Sequence, residues 1–211
     1  MAEEYLIRTK NSDVYLRVKK GHFATMHSHT NYFVDVTSQK MNLEEAKAVA
    51  HELAEGYRAK TIVDSILCID GMEVIGTCLA NELTEDHYLN INAKHPINVI
   101  SPEYISGGQM MFRDNLTPMI TGKNVLVLAA SVTTGRSALA AIDAINYYGG
   151  KIAGVAAIFA TVGECDDHPV SSIFDPNDLG DYQSYKPNRC PFCEEGRKIE
   201  ALVNSYGYSK L

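Results

Sequence analysis

The sequence predicts an α/β fold, a parallel sheet flanked by helices, and three observations carry that reading. Strand-like and helix-like segments alternate through the middle of the chain. Several of the strand segments are short, continuous apolar runs. The segments between them carry apolar residues at helical spacing.

Taken in order, Val14–Val18 and Tyr32–Val36 show the alternation and β-branched content of strands, with a polar, histidine-rich turn from Gly21 to Asn31 between them. Asn42 followed by Glu45 makes a capping-box pattern. It opens a helix whose stripe is Leu43, Ala46, Ala50, Leu53 and Tyr57. Thr61–Cys68 is an apolar run that fits a buried strand, and Gly71 opens a second helix with the stripe Met72, Ile75, Leu79 and Leu83. Ile97–Ser101 is another strand, and Asn124–Ala130 is the clearest one. A turn then leads to a helix with Leu139, Ile142 and Ile145, ending at Gly149-Gly150. Ile152–Ala160 and Val170–Phe174 complete the strands.

The chain's 211 residues suit one compact domain with small additions, and an apolar content of 45% is ordinary for a globular core. The expected divisions are an N-terminal hood or substrate region at 1–40, an α/β core at 41–175 and a C-terminal extension at 176–211. No apolar run reaches the roughly 18 residues a membrane helix needs. The start Met1-Ala2-Glu3-Glu4 is acidic where a secretory signal would be basic. A cytoplasmic location without membrane contact is expected. A formal net charge of −7 argues against a broad nucleic-acid surface, but not against one small phosphate ligand. Cys68, Cys78 and Cys165 are expected as reduced thiols.

In sheets of this kind, ligands bind beyond the carboxyl ends of the strands, so the turns matter most. The strand at Val125 ends in Ala129-Ala130-Ser131-Val132-Thr133-Thr134-Gly135-Arg136-Ser137 and passes straight into a helix. Such a turn offers backbone N–H groups, hydroxyls and the positive end of a helix dipole to one phosphate. Gly135 lets the backbone close, and Arg136 adds charge at the rim. An ordinary Thr-capped helix start would leave the same pattern.

This segment resembles the signature of type I phosphoribosyltransferases: four apolar residues, two acids, two variable residues, then Thr-Thr-Gly and a hydroxyl. Further segments are similar to orotate phosphoribosyltransferases. Gly21–Phe33 resembles the early substrate-binding turn and strand, Ile66–Gly76 the pyrophosphate loop, and Cys190-Pro191-Phe192-Cys193 a C-terminal feature of some members. The resemblance implies a type I phosphoribosyltransferase-like sheet with a small hood, and transfer of a phosphoribosyl group from phosphoribosyl pyrophosphate to a pyrimidine base such as orotate. It implies that Ser131, Val132, Thr133, Thr134, Gly135, Arg136 and Ser137 hold the 5′-phosphate. Asp70, Gly71 and Met72 would meet the pyrophosphate, and Ser28, His29 and Asn31 the base. It also implies Mg²⁺ delivered with the substrate rather than by a dedicated protein metal site, and a homodimer.

Two departures bear on catalysis. The family's paired acids, which hold the ribose hydroxyls, are here Ala129 and Ala130. The stretch in the place of the cationic flexible loop, Ser101–Gln109, contains no Lys, Arg or His. Arg113, Lys123 or a residue of a second subunit would have to substitute. Weak or altered activity is therefore expected, and a catalytically degenerate nucleotide- or phosphosugar-binding regulator is the alternative.

Three other groups stand out. His27 and His29 would share one strand face near His22, which suits substrate contact, a plain surface turn or a metal. Cys190 and Cys193 are half of a zinc knuckle, with Cys165 and His168 as the other half of a Zn²⁺ set. Surface thiols or a redox pair fit them equally. Asp70 and Glu73 flank a helix start, where acids commonly serve the backbone. The C-terminal tyrosines Tyr182, Tyr185, Tyr206 and Tyr208 are expected to pack rather than to stack on a base.

Overall fold

The computed structural model describes residues 4–8, 14–86, 88–105 and 108–211. Met1–Glu3, which carry most of the leader argument, lie outside them, as do Ser106 and Gly107 of the loop region. The chain divides into two compact units, one formed by 1–38 with 174–211 and the other by 39–173.

The first unit is built on a six-stranded sheet. Strands β1 (Glu4–Arg8), β2 (Tyr15–Ala24) and β3 (His29–Asp35) pair antiparallel in sequence order. Both β2 and β3 run further into the histidine-rich segment than its polarity suggests, leaving a turn at 25–28. Burial explains this: His22, Ser28, His29, Thr30 and Asn31 are all enclosed. A register shift between Lys20 and Phe23 adds one residue to β2, the mark of a β-bulge. Gly21 sits in the bulge, where a Cβ would lie 2.7 Å from Glu200 Oε1 and 2.9 Å from the Phe23 ring. The C-terminal segment completes this sheet, as the chain order alone does not suggest.

The second unit begins with the short helix α1 (Thr37–Met41), which spans the boundary, and α2 (Leu43–Ala54). Asn42 Oδ1 accepts from the N–H groups of Glu44 and Glu45, as its spacing predicts. Leu43 is exposed, so the buried stripe is Ala46, Val49, Ala50 and Leu53. Tyr57 lies beyond the helix but stays buried, its hydroxyl donating to the Val155 carbonyl at 3.2 Å. Next come β4 (Ser65–Cys68), α3 (Glu73–Thr84) and β5 (Asn98–Ile100). The short antiparallel pair β6 (Glu103–Tyr104) and β7 (Met110–Met111) precedes β8 (Asn124–Val132), α4 (Arg136–Tyr147) and β9 (Lys151–Ala160). A final hairpin, β10 (Glu164–Cys165) with β11 (His168–Phe174), closes one edge.

The second sheet runs β10-β11-β9-β8-β4-β5, and the pairs β5–β4, β4–β8 and β8–β9 are parallel. Leu67, Val125, Val127 and Ala129 on the sheet form one apolar cluster with Ala138, Ala141, Ile142 and Ile145 of α4. Leu139 instead is half-exposed, because it lies off the face that Ala138, Ala141, Ile142 and Ile145 turn to the strands.

The remaining elements are α5 (Pro176–Leu179), β12 (Ser184–Tyr185), α6 (Pro191–Glu194), β13 (Ala201–Asn204) and β14 (Gly207–Lys210). β12 pairs with β3, and β13 pairs with β2, so hood and extension form one sheet around Phe23, Phe33, Ala201 and Val203. Among the described residues no helix is long and apolar enough to cross a membrane.

Candidate functional site

The order of the second sheet creates a switch point. From β4 the chain passes through α3 to β5 on one side, and from β8 through α4 to β9 on the other. The turns after β4 and β8 therefore leave neighbouring strands in opposite directions, and the crevice between such turns is where open α/β sheets receive ligands. The Ile69 N–H donates to the Leu128 carbonyl at 2.9 Å, fixing the two strand ends together.

The turn after β8 lies at the surface. Thr134, Arg136 and Ser137 are exposed, Ser131 and Thr133 half-buried, and Val132 and Gly135 buried. Gly135 is the N-cap of α4 with φ 72°, and among the described residues no side chain caps this start. The first intrahelical bond is Leu139 N–H to the Gly135 carbonyl at 2.8 Å. The N–H groups of the opening turn therefore have no helical carbonyl to meet. Thr161, at the end of β9, steadies the turn: its N–H donates to the Val132 carbonyl at 2.9 Å and its hydroxyl to the Thr133 carbonyl at 2.7 Å.

The turn after β4 is built alike. Asp70 (φ 60°) and Gly71 (φ 77°) are both left-handed, and Met72 caps α3 without a side-chain hydrogen bond. A left-handed Asp is tolerated better than most side chains there. The Glu73 carboxylate accepts from the Ser101 hydroxyl at 2.8 Å. One cation escaped the sequence reading: Lys40, 5% exposed, donates from Nζ to the Asp70 carbonyl at 2.9 Å. No local pattern marks it, since it arrives from α1, 30 residues earlier in the chain.

The catalytic departures take structural form. Ala129 and Ala130 are each 1% exposed, and Ala129 belongs to the apolar cluster beneath α4. The segment from Ser101 to Gln109 contributes to the β6–β7 hairpin. Arg113 is bound to Glu103 through Nε at 2.6 Å and a terminal nitrogen at 2.9 Å. The Glu103 carboxyl is held below its usual range by Arg113. Lys123 precedes β8, about 30 Å of strand away from the turn at the other end. A cavity of about 620 Å³ lies between Ile105 with Gly108–Met111 on one side and Ala140, Ala144 and Tyr147 of α4 with Tyr148 on the other. Its lining includes residues of neither turn.

The three base-contact candidates are engaged within the first unit. Asn31 donates from Nδ2 to the Asp181 carbonyl at 2.6 Å and accepts on Oδ1 from the Gln183 N–H at 2.6 Å. The Ser28 hydroxyl pairs with that of Thr25 at 2.9 Å. His29 faces His22, Cys190 and Cys193, four residues whose ligating atoms all lie within 4.8 Å of one another. Burial, and less so His22, pushes the His29 imidazole below its ordinary pKa. Of the expected zinc set, Cys190 and Cys193 thus stand beside these two histidines. Cys165 and His168 face each other across β10–β11 in the second unit, and a Cβ on Gly135 would meet Cys165 Sγ at 3.1 Å. His27 is exposed in the 25–28 turn and shares no strand face with His29. Of the tyrosines, Tyr182 stacks on Tyr32 at 6.4 Å and Tyr185 meets Phe192 edge-on at 5.9 Å.

No family model matches the sequence. The chain is 27% identical over 188 residues to the orotate phosphoribosyltransferase of Chlorobium phaeobacteroides, covering 86% of each chain. It is 28% identical over 178 residues to that of Carboxydothermus hydrogenoformans, covering 84% of this chain and 86% of the relative. The structure of Mycobacterium tuberculosis orotate phosphoribosyltransferase in complex with 5-phospho-alpha-D-ribosyl 1-diphosphate superposes with a TM-score of 0.52 at 21% identity, over 70% of this chain and 82% of that one. The fold is that of the type I phosphoribosyltransferases.

Proposed function

We propose that the protein binds phosphoribosyl pyrophosphate with its 5′-phosphate on the Ser131–Ser137 turn, and transfers the phosphoribosyl group slowly to a pyrimidine base. Orotate is the base that the similarity favours. One observation supports this above the rest: two uncapped helix starts, each entered through left-handed residues, flank the switch point between β4 and β8. Backbone N–H groups there suit phosphate oxygens, with hydroxyls from Thr133, Thr134 and Ser137 and the rim charge of Arg136. The backbone of Asp70, Gly71 and Met72 would meet the pyrophosphate, with the Lys40 ammonium behind it. Magnesium would arrive on the substrate's own pyrophosphate oxygens.

In the transfer, the bond from C1′ to pyrophosphate oxygen breaks and its electron pair leaves with pyrophosphate. A ring nitrogen of the base bonds to C1′ and gives up its proton. Positive charge builds on the sugar and negative charge on the leaving group, so fixed charges at both places lower the barrier. Here Ala129 and Ala130 supply none at the sugar, and the β6–β7 hairpin supplies no cation at the leaving group through residues 101–109. Each missing group of this kind costs about a hundredfold or more in rate. A homodimer, in which a second subunit lends a cation, belongs to the same proposal.

The enclosure of both alanines favours a second reading, a phosphosugar-binding regulator without turnover. Incubation with phosphoribosyl pyrophosphate, orotate and magnesium separates the two. Steady nucleotide formation supports the transferase. Ligand-induced thermal stabilisation without product supports the regulator. Neither effect removes the turn from the site.

A further inference from the structure

We propose that His22, His29, Cys190 and Cys193 form a structural zinc site that ties the C-terminal segment to β2 and β3. The site is independent of the transferase reading, since all four residues belong to the first unit.

The strands place the histidines together. Ala24 pairs with His29 in the antiparallel register, and His22, two residues before Ala24, shares its face. His22 and His29 are thus diagonal neighbours across the ladder. The extra residue in the β2 bulge brings His22 to this face, where it is fully buried. The cysteines arrive on a tight knuckle. The Cys193 N–H donates to the Cys190 carbonyl at 3.0 Å, and the Gly196 N–H to the Cys193 carbonyl at 3.0 Å, with Gly196 left-handed at φ 72°.

The donor separations fit a tetrahedral ion. Zinc–sulfur bonds of about 2.3 Å and zinc–nitrogen bonds of about 2.0 Å at tetrahedral angles place neighbouring donors roughly 3.3–3.8 Å apart. His22 Nε2 lies 3.2 Å from His29 Nδ1, 3.5 Å from Cys190 Sγ and 3.8 Å from Cys193 Sγ. Cys193 Sγ lies 3.3 Å from His29 Nδ1. The surroundings also fit. His22 Nδ1 is 2.9 Å from the Arg197 carbonyl, which can accept a hydrogen bond from an N–H at that nitrogen and leaves the Nε2 lone pair aimed at the cluster. This is how protein backbone commonly orients a metal-bound imidazole. Glu200 holds the His22 backbone from both sides: its Oε1 accepts from the His22 N–H at 3.1 Å, and its own N–H donates to the His22 carbonyl at 2.8 Å. Two neutral imidazoles and two thiolates are a soft, borderline donor set suited to Zn²⁺, and four protein ligands mark a structural rather than a catalytic ion.

The test is metal content of the full-length protein, purified under reducing conditions and dialysed with added zinc. One zinc per chain is expected. Cys193→Ser should reduce retention against a chelator at least fivefold, as should Cys190→Ser, whereas Cys165→Ser should retain zinc fully. Should a cysteine variant fail to fold, cobalt substitution of the unaltered chain supplies a separate readout: a tetrahedral ligand-field spectrum with thiolate charge-transfer absorption. A folded, fully reduced protein that takes up neither metal overturns the site. So does a Cys190–Cys193 disulfide in the fresh, metal-free protein, or zinc lost in Cys165→Ser and kept in Cys193→Ser.

Discussion

The two ends of the second unit's parallel sheet treat their polar groups in opposite ways. At the amino end, Asp64 closes the strands. Its Oδ2 accepts from the Asn124 N–H at 2.7 Å and the Asn124 carboxamide at 2.8 Å, its Oδ1 meets His95 Nε2 at 2.9 Å, and its backbone carbonyl accepts from the Asn98 N–H at 3.0 Å. One residue, through its carboxylate and its backbone carbonyl, thus joins the starts of β4, β5 and β8. At the carboxyl end, α3 and α4 begin without side-chain caps, through left-handed Asp70, Gly71 and Gly135. Satisfied groups stabilise the fold, while groups left open can be satisfied by a ligand. Substitutions at the amino end should therefore change stability and leave phosphate binding alone, whereas those at the carboxyl-end turn should change phosphate binding.

The hardest strain on that contrast comes from Ala129 and Ala130, which stand at the carboxyl end of β8 yet are packed like core. Restoring the acids, Ala129→Glu with Ala130→Asp, places two carboxylates where both methyl groups are enclosed. Unpaired buried charge is strongly unfavourable, and a loss of about 3 kcal/mol or more is expected, read from denaturant unfolding. A double variant that stays fully stable and gains affinity for ribose 5-phosphate would show that the end of β8 faces ligand, not core.

Next in size is the amino end itself. Burial alone would raise the Asp64 carboxyl, but the hydrogen bonds from Asn124 and His95 outweigh it and hold the pKa below its ordinary value. A carboxylate with a depressed folded pKa adds stability that is fully present above the unfolded value, about 3.9, and disappears as pH falls through the folded value. Asp64→Asn should cost about 1.5–3 kcal/mol at neutral pH. The gap between variant and parent should narrow below pH about 4. Urea unfolding at both pH values checks this, and affinity for a 5′-phosphate ligand should not move.

Gly135→Val should change binding as well as stability. The position is left-handed, and the added Cβ would lie 3.1 Å from Cys165 Sγ. A β-branched residue there costs about 1–3 kcal/mol, released by re-forming the turn. Affinity for ribose 5-phosphate should fall at least tenfold by calorimetry. Unchanged affinity in a folded variant would remove the turn from the site.

These contrasts also show which features the sequence made legible. The β8–turn–α4 unit and the Asn42 cap are local in the chain, so propensity and spacing describe them well. Lys40 beneath Asp70, the Glu103 clamp on Arg113 and the Asn31 tie to Asp181 and Gln183 depend on partners 10 to about 150 residues away, which no local pattern encodes. The cysteine–histidine cluster lies between these cases. Cys190-x-x-Cys193 is visible as half a knuckle, but its partners depend on a β-bulge that shifts His22 by one position, and a one-residue shift moves a side chain to the other face.

The smallest expected effect tests whether an ordinary cap lacks any role in binding. Asn42 closes the start of α2 by accepting two hydrogen bonds on its side-chain oxygen, at 3.0 Å and 3.2 Å, in the same unit as the open start of α4. Asn42→Ala should cost about 1 kcal/mol, the usual worth of such a cap, and shift the thermal midpoint by a few degrees. Because Glu44 and Glu45 already place negative charge on that first turn, uncovering its N–H groups should not create a phosphate site. Phosphate-dependent stabilisation in Asn42→Ala should equal that of the parent protein. If it instead grew, an uncapped start alone would suffice for anion binding in this fold, and the geometry around Gly135 would lose its claim to be special.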